Sequence, residues 1–166
     1  MAKRQVFYSF HYDNDVMRVA QIRNIGALED NKPVSDNEWE AVQRGGDKAI
    51  ENWIDNNMRN RTCVVVLVGS QTANRKWVRY EIEKAWKEEK GLFGIYIHNI
   101  KCPRNGKCVQ GLNPFEHIAE TRGKGIKCYN PNSLDAYNDI RNNIEKWVED
   151  AINQRIIDQV FKNWGL

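Results

Sequence analysis

Thr62-Cys63-Val64-Val65-Val66-Leu67-Val68 is the clearest strand signal in this chain. The run is continuous, rich in β-branched side chains and without polar alternation, which is the pattern of a strand covered on both faces in the middle of a parallel sheet. Parallel strands need crossover connections, and the flanks supply helices for them. Upstream, the pattern is helical from Asp36, and Ala49, Ile50, Trp53, Ile54 and Met58 form an amphipathic face after Gly45-Gly46. Downstream, Gly69-Ser70-Gln71-Thr72 turns the chain into a helix expected from about Asn74 to Glu89, with Val78, Ile82, Ala85 and Trp86 on its core face.

Farther out the alternation continues. Val6-Phe7-Tyr8-Ser9-Phe10 reads as a buried first strand, followed by the polar turn His11-Tyr12-Asp13-Asn14-Asp15. A helix is expected from Val16 to about Ile25, with Val16, Val19, Ala20 and Arg23 marking one side. The stretch from Gly26 to Ser35 is rich in turn formers, and a short second strand is expected near Lys32 to Val34. In the second half, Phe93-Gly94-Ile95-Tyr96-Ile97 reads as a strand and Gly125 to Tyr129 as a shorter one. Ser133 is placed to cap a long final helix with the stripe Tyr137, Ile140, Ile144, Trp147, Val148, Ala151. Strands alternating with helices over 166 residues give the expected fold class: α/β, one domain over 1–166, a three-layer αβα arrangement with a central parallel sheet and helices on both faces. Such sheets bind ligands at the carboxyl ends of their strands, where the strand order switches. The loops after Phe10 and Val68 are therefore where a site is expected.

Composition narrows the function. The net charge of +3 comes from 25 basic and 22 acidic residues spread along the chain, without the basic stripe that nucleic-acid binding requires. Met1-Ala2-Lys3-Arg4-Gln5 leads into an apolar run too short for a signal peptide, and no later run approaches a membrane span, so a cytoplasmic protein without a membrane partner is expected. Cys63, Cys102, Cys108 and Cys128 are then expected to be reduced. Asn105-Gly106 is a two-residue hairpin signal that would set Pro103 opposite Cys108 and Cys102 opposite Val109, making Cys102 and Cys108 diagonal neighbours at best. Zinc is disfavoured: His98, Cys102, Cys108, His117 and Cys128 contain no CxxC or HxxxH pair, and no metal site is expected.

Several chemistries of this architecture lack their essential residues. There is no GxxxxGK[ST] phosphate loop, no GxGxxG after the first strand, no Ser/Thr/Gly-rich flavin-phosphate loop there, and no aspartate ending the central strand. What remains is Trp77-Val78-Arg79-Tyr80-Glu81, which sets Trp77 and Glu81 four apart on one helix face. Glu81 lies roughly 100° around from the core stripe and near the first turns of its helix. A carboxylate there can look into a cleft above the strand ends, or it can be a solvated glutamate paired with Arg75, Lys84 or Lys87; spacing by itself favours the second.

Gly69-Ser70-Gln71-Thr72, Asn74-Arg75, Trp77-Val78-Arg79-Tyr80-Glu81-Ile82, the opening Val6-Phe7-Tyr8-Ser9-Phe10-His11-Tyr12 and the Asn113-Pro114-Phe115 turn closely resemble the TIR-like proteins of bacterial Thoeris anti-phage systems. The resemblance covers most of residues 1 to 130. It implies a flavodoxin-like fold and makes Glu81 the counterpart of the family's catalytic glutamate for NAD⁺ cleavage. Such enzymes release nicotinamide and make a cyclic ADP-ribose isomer or another ADP-ribose conjugate that activates a separate effector protein. NAD⁺ is then the substrate, no cofactor is expected, and a viral trigger protein and self-association become candidate partners.

The chemistry suits a single carboxylate. Most glycosidases need two, because an alkoxide leaving group must be protonated. The nicotinamide of NAD⁺ already carries the positive charge and leaves neutral. Glu81 has only to hold the ribose hydroxyls and face an oxocarbenium-like transition state in a water-poor site. Phe7, Phe10 and Trp77 suit aromatic walls. Ser9 and His11 match the opening motif, Asn74 and Arg75 are placed to meet the pyrophosphate or to cap the helix, and Asp36 stands by analogy in a pocket-lining loop. Tyr80 and Trp39 read as packing. Two other functions stay open: a non-catalytic assembly module docking through the apolar tail Ile156 to Trp164, and a nucleoside deoxyribosyltransferase-like enzyme acting on free deoxynucleosides.

Overall fold

The computed structural model describes residues 3–30 and 36–165, except for the side chain of Asp36. Its elements run in the order β1 (Val6–Ser9), α1 (Tyr12–Arg23), α2 (Asp36–Arg44), α3 (Gly46–Met58), β2 (Cys63–Val68), α4 (Lys76–Lys87), β3 (Gly91–Tyr96), a 3-10 turn (Pro114–His117), β4 (Cys128–Tyr129) and α5 (Ala136–Asn163). All strand pairs are parallel, in the order β1-β2-β3-β4. The valine run is β2, flanked by β1 and β3, and all six of its side chains are buried. Burial at this level contributes roughly 1.5–3 kcal/mol for each Val or Leu side chain relative to exposure.

Period-two alternation divides the core into two layers. Val6 and Tyr8, Cys63, Val65 and Leu67, and Phe93 and Ile95 pack with Val19 and Ile22 of α1 and Ile140, Ile144 and Val148 of α5. Phe7, Val64, Val66, Val68 and Leu92 pack with Ile50, Ile54 and Met58 of α3 and Val78, Ile82 and Ala85 of α4. Helices thus cover both faces of an all-parallel sheet, the three-layer α/β class read from the sequence. No helix of the described residues is long and apolar enough to cross a membrane.

Several local expectations need correction. The first helix begins at Tyr12 rather than Val16, and its buried side is Asp15, Arg18, Val19 and Ile22. Asp15 and Arg18 neutralise each other inside the fold at 3.1 Å, so a segment that reads as a polar turn becomes the first turn of a helix. The expected second strand at Lys32 to Val34 lies outside the described residues; the outer edge of β1 instead carries one parallel bridge, Gln5 with Glu29. Among the described residues the four-stranded order therefore runs without a switch, and the chain changes side around β1, from Glu29 on one flank to β2 on the other.

The hairpin closes between Cys102 and Gly106, which exchange backbone hydrogen bonds of 2.8 and 2.7 Å. Gly106 rather than Val109 faces Cys102, because Gly106 itself takes the left-handed φ of 68° that ends the turn. The four cysteines are free thiols. The cap of the final helix is Asp135, whose carboxylate accepts the Asn138 N–H at 3.3 Å, not Ser133.

Candidate functional site

The loop after β2 is fixed by its own side chain: the Gly69 N–H donates to Thr72 Oγ1 at 2.8 Å, and Thr72 is fully buried. Gly69 is required there, since a Cβ on it would lie 2.1 Å from Asp15 Oδ2, and Gly111 packs equally closely on the Gly69 carbonyl. From this turn α4 starts at Lys76, with Arg75 as N-cap. No side chain caps that end and no acid stands in the first turn, so its free N–H groups favour an anion.

Glu81 belongs to the buried stripe of α4 with Val78, Ile82 and Ala85. Position 81 is i+3 from Val78 and i−4 from Ala85, so it lies on the face that meets the sheet rather than beside it. None of the cationic partners offered by spacing engages it. Ser9, fully buried at the end of β1, donates from Oγ to Glu81 Oε1 at 2.9 Å. Burial pushes the Glu81 carboxyl up to about 8, and the Ser9 hydrogen bond opposes that shift without cancelling it.

A cleft of about 280 Å³ opens over this pair. Glu81 and Val78 line it from α4, and Phe7 and Tyr8 from β1. Phe10, His11, Tyr12 and Asp13 enter from the β1–α1 junction, with Arg23 from the far end of α1. Trp39 and Gln43 come from α2, Trp53 and Ile54 from α3, and Arg75, Lys76 and Trp77 from the start of α4. Burial first, and then the Arg75 charge, hold the His11 imidazole below its ordinary range. Arg75 also reaches Gln71 Oε1 at 2.9 Å, and Lys76 forms an ion pair with Asp47 while lying 4.8 Å from the Trp77 ring centroid.

The residues singled out from sequence divide accordingly. Phe7, Phe10, His11, Arg75, Trp77 and Glu81 line one cleft. Ser9 lies beneath it as the partner of Glu81. Asn74 is exposed and outside the lining, because α4 begins two residues later than expected and Arg75 takes the cap position. The Asp36 side chain lies outside the described residues. Tyr80 is a packing residue as read, donating to Asp55 at 2.9 Å away from the cleft, whereas Trp39 lines it. Tyr12, Gln43, Trp53 and Lys76 join the lining without standing out in the sequence. The i, i+4 spacing of Trp39 and Gln43 is the available signal for the α2 contribution. Among the described residues no cluster of three or more His, Cys, Asp or Glu side chains could hold a metal ion.

A family model described as Thoeris protein ThsB, TIR-like domain, matches residues 7–101, which run from within β1 through β3 and hold every residue that lines the cleft. The chain belongs to this family. A Bacillus cereus (strain MSX-D12) protein named "Putative cyclic ADP-D-ribose synthase ThsB1" is 34% identical over 137 residues, covering 78% of this chain and 71% of that protein. As a ThsB TIR-like domain, the chain carries its buried glutamate, Glu81, and the hydroxyl that holds it, Ser9, inside the family-matched segment.

Proposed function

We propose that this ThsB-family domain cleaves the bond between nicotinamide and ribose in NAD⁺ and makes a cyclic ADP-ribose-type product, with Glu81 as its catalytic carboxylate. The observation that carries this reading is a buried glutamate, held by one serine hydroxyl, at the base of an aromatic cleft. The name of the Bacillus cereus relative supports the product class.

The nicotinamide-ribose end of NAD⁺ seats against Glu81, and the positive charge of the nicotinamide draws the carboxyl into its ionised form. The C1′–N bond breaks, and its electron pair leaves with neutral nicotinamide. Glu81 faces the oxocarbenium-like carbon and accepts hydrogen bonds from the ribose hydroxyls, and Ser9 holds the carboxylate in place. A nucleophile elsewhere on the same molecule captures the carbon and gives up a proton. The aromatic walls favour that closure by excluding water. Arg75 and the uncapped start of α4 receive the pyrophosphate. The product would act on a separate effector protein, and the enzyme itself works without a cofactor.

The test is product analysis by mass spectrometry after NAD⁺ is incubated with lysate from infected cells expressing the protein, beside a Glu81→Gln control. Nicotinamide and a new ADP-ribose species in the wild type alone are expected. Equal traces from both, with each protein folded and the infection trigger present, would remove the enzyme reading. Turnover of free deoxynucleosides in place of NAD⁺ would favour a deoxyribosyltransferase.

A further inference from the structure

Water exclusion alone does not account for how the aromatic wall of the cleft is arranged. That wall is a chain of ring contacts. Phe7 of β1 meets Trp53 at 6.4 Å between centroids, Trp53 meets Trp39 at 5.6 Å, Trp39 meets Tyr12 at 5.9 Å, and Tyr12 stacks on Phe10 at 6.2 Å. Trp39 stands at the middle of this arc, two ring contacts from either end, whereas Glu81 is anchored directly on β1 through Ser9. Trp53 meets Trp39 edge-on, at 68° between planes, and so buttresses the indole without stacking on it. Gln43 lies four residues beyond Trp39 on α2, so an amide and an indole come to the cleft from one helix face.

We propose that Trp39, Tyr12 and Gln43 form the subsite for the adenine base of the dinucleotide. This rests on the NAD⁺ reading of Glu81 and deepens it. The two bases of NAD⁺ differ in charge, and the cleft offers them different groups: the Glu81 carboxylate from α4, and an indole with a neutral amide from the Trp39 and Gln43 face of α2. The cationic nicotinamide belongs beside the carboxylate, which leaves the neutral purine for the outer wall. A purine there finds an aromatic face to stack on, and the Gln43 amide can donate to and accept from its N6 and N7 edge. Arg75 and Lys76 line the same cleft, and on binding would turn from Gln71 and Asp47 to the pyrophosphate that joins the two halves. Recognition of the adenine half would therefore rest on α1 and α2, elements that take no part in holding Glu81.

The experiment is calorimetric titration in a Glu81→Gln background, which leaves the ligands uncleaved, with NAD⁺, ADP-ribose and nicotinamide mononucleotide as probes. Trp39→Leu, which keeps apolar packing against Trp53 but loses the stacking face, should weaken NAD⁺ and ADP-ribose by about five- to a hundredfold. Nicotinamide mononucleotide should bind unchanged. Trp39→Phe should restore most of the loss, and Gln43→Ala should cost a few-fold for the adenine-bearing ligands alone. Circular dichroism checks that each variant keeps its helices. An equal loss for nicotinamide mononucleotide, or unchanged NAD⁺ binding in Trp39→Leu, overturns the subsite and leaves the function reading standing. If the parent binds none of the three ligands, the NAD⁺ reading falls and the subsite falls with it.

Discussion

Ser9 donating to Glu81 is the contact on which the chemistry turns, and it makes the carboxyl's ionisation measurable. With Glu81 pushed up to about 8 in the free protein, kcat/KM for NAD⁺ should climb as pH rises toward 8, since that parameter reports the free enzyme's groups. Ser9→Ala removes the one hydrogen bond that lowers the value, so the same limb should move to higher pH; a profile flat from pH 6 to 9 would contradict the assignment. Stability carries the opposite sign. A carboxyl raised in the folded state keeps its proton where the unfolded chain has lost it, so folding stability falls as pH rises from about 5 to about 8. Glu81→Gln removes that penalty, and its melting temperature should exceed the wild type's by a margin that widens across this window. Gly69 offers a separate test. The Cβ of Gly69→Ala would enter the Asp15 carboxylate, and overpacking of this kind costs about 1–3 kcal/mol, measurable by urea unfolding.

At the scale of elements, Arg18 fastens α1 to the loop that leaves β3. Its guanidinium donates to the Ile100 and Gly106 carbonyls, each at 2.9 Å, and to Asp15 at 3.1 Å. Arg18→Met would leave the buried Asp15 carboxylate without its counter-ion, a change that costs about 3–5 kcal/mol. Replacing Asp15 by leucine in the same protein should recover part of that loss in denaturant unfolding, because two apolar residues leave no buried charge. The same pair explains why the sequence places the start of α1 too late. Asp13, Asn14 and Asp15 look like a turn on their own, and become a helix start only when Arg18 neutralises Asp15 and the helix dipole favours acids in the first turn. The α4 motif shows the converse, since its helical spacing is legible but extends the helix back to Asn74, past the Arg75 cap.

Over the whole molecule, α5 extends past its last buried residue, Arg155, which stacks on Trp86 at 3.9 Å. Ile156, Ile157, Val160, Phe161 and Trp164 beyond it are about half exposed or more. Ile157→Lys with Phe161→Lys should therefore change unfolding free energy by no more than about 0.5 kcal/mol, as surface changes do; a larger loss on denaturant titration would mean that the tail is packed. By itself the sequence determined the layered α/β class, the central place of the valine run, the family, and six of the residues that line the cleft. Hydrophobic periodicity and a local motif suffice for these, because both are carried by neighbours along the chain. Only the tertiary structure decided that Glu81 pairs with Ser9 rather than with a nearby lysine or arginine, that Asn74 stands outside the cleft, and that Trp39 and Gln43 stand within it. Residues 9, 39 and 81 come from three different elements, and spacing along one helix cannot say what another helix or strand brings against it.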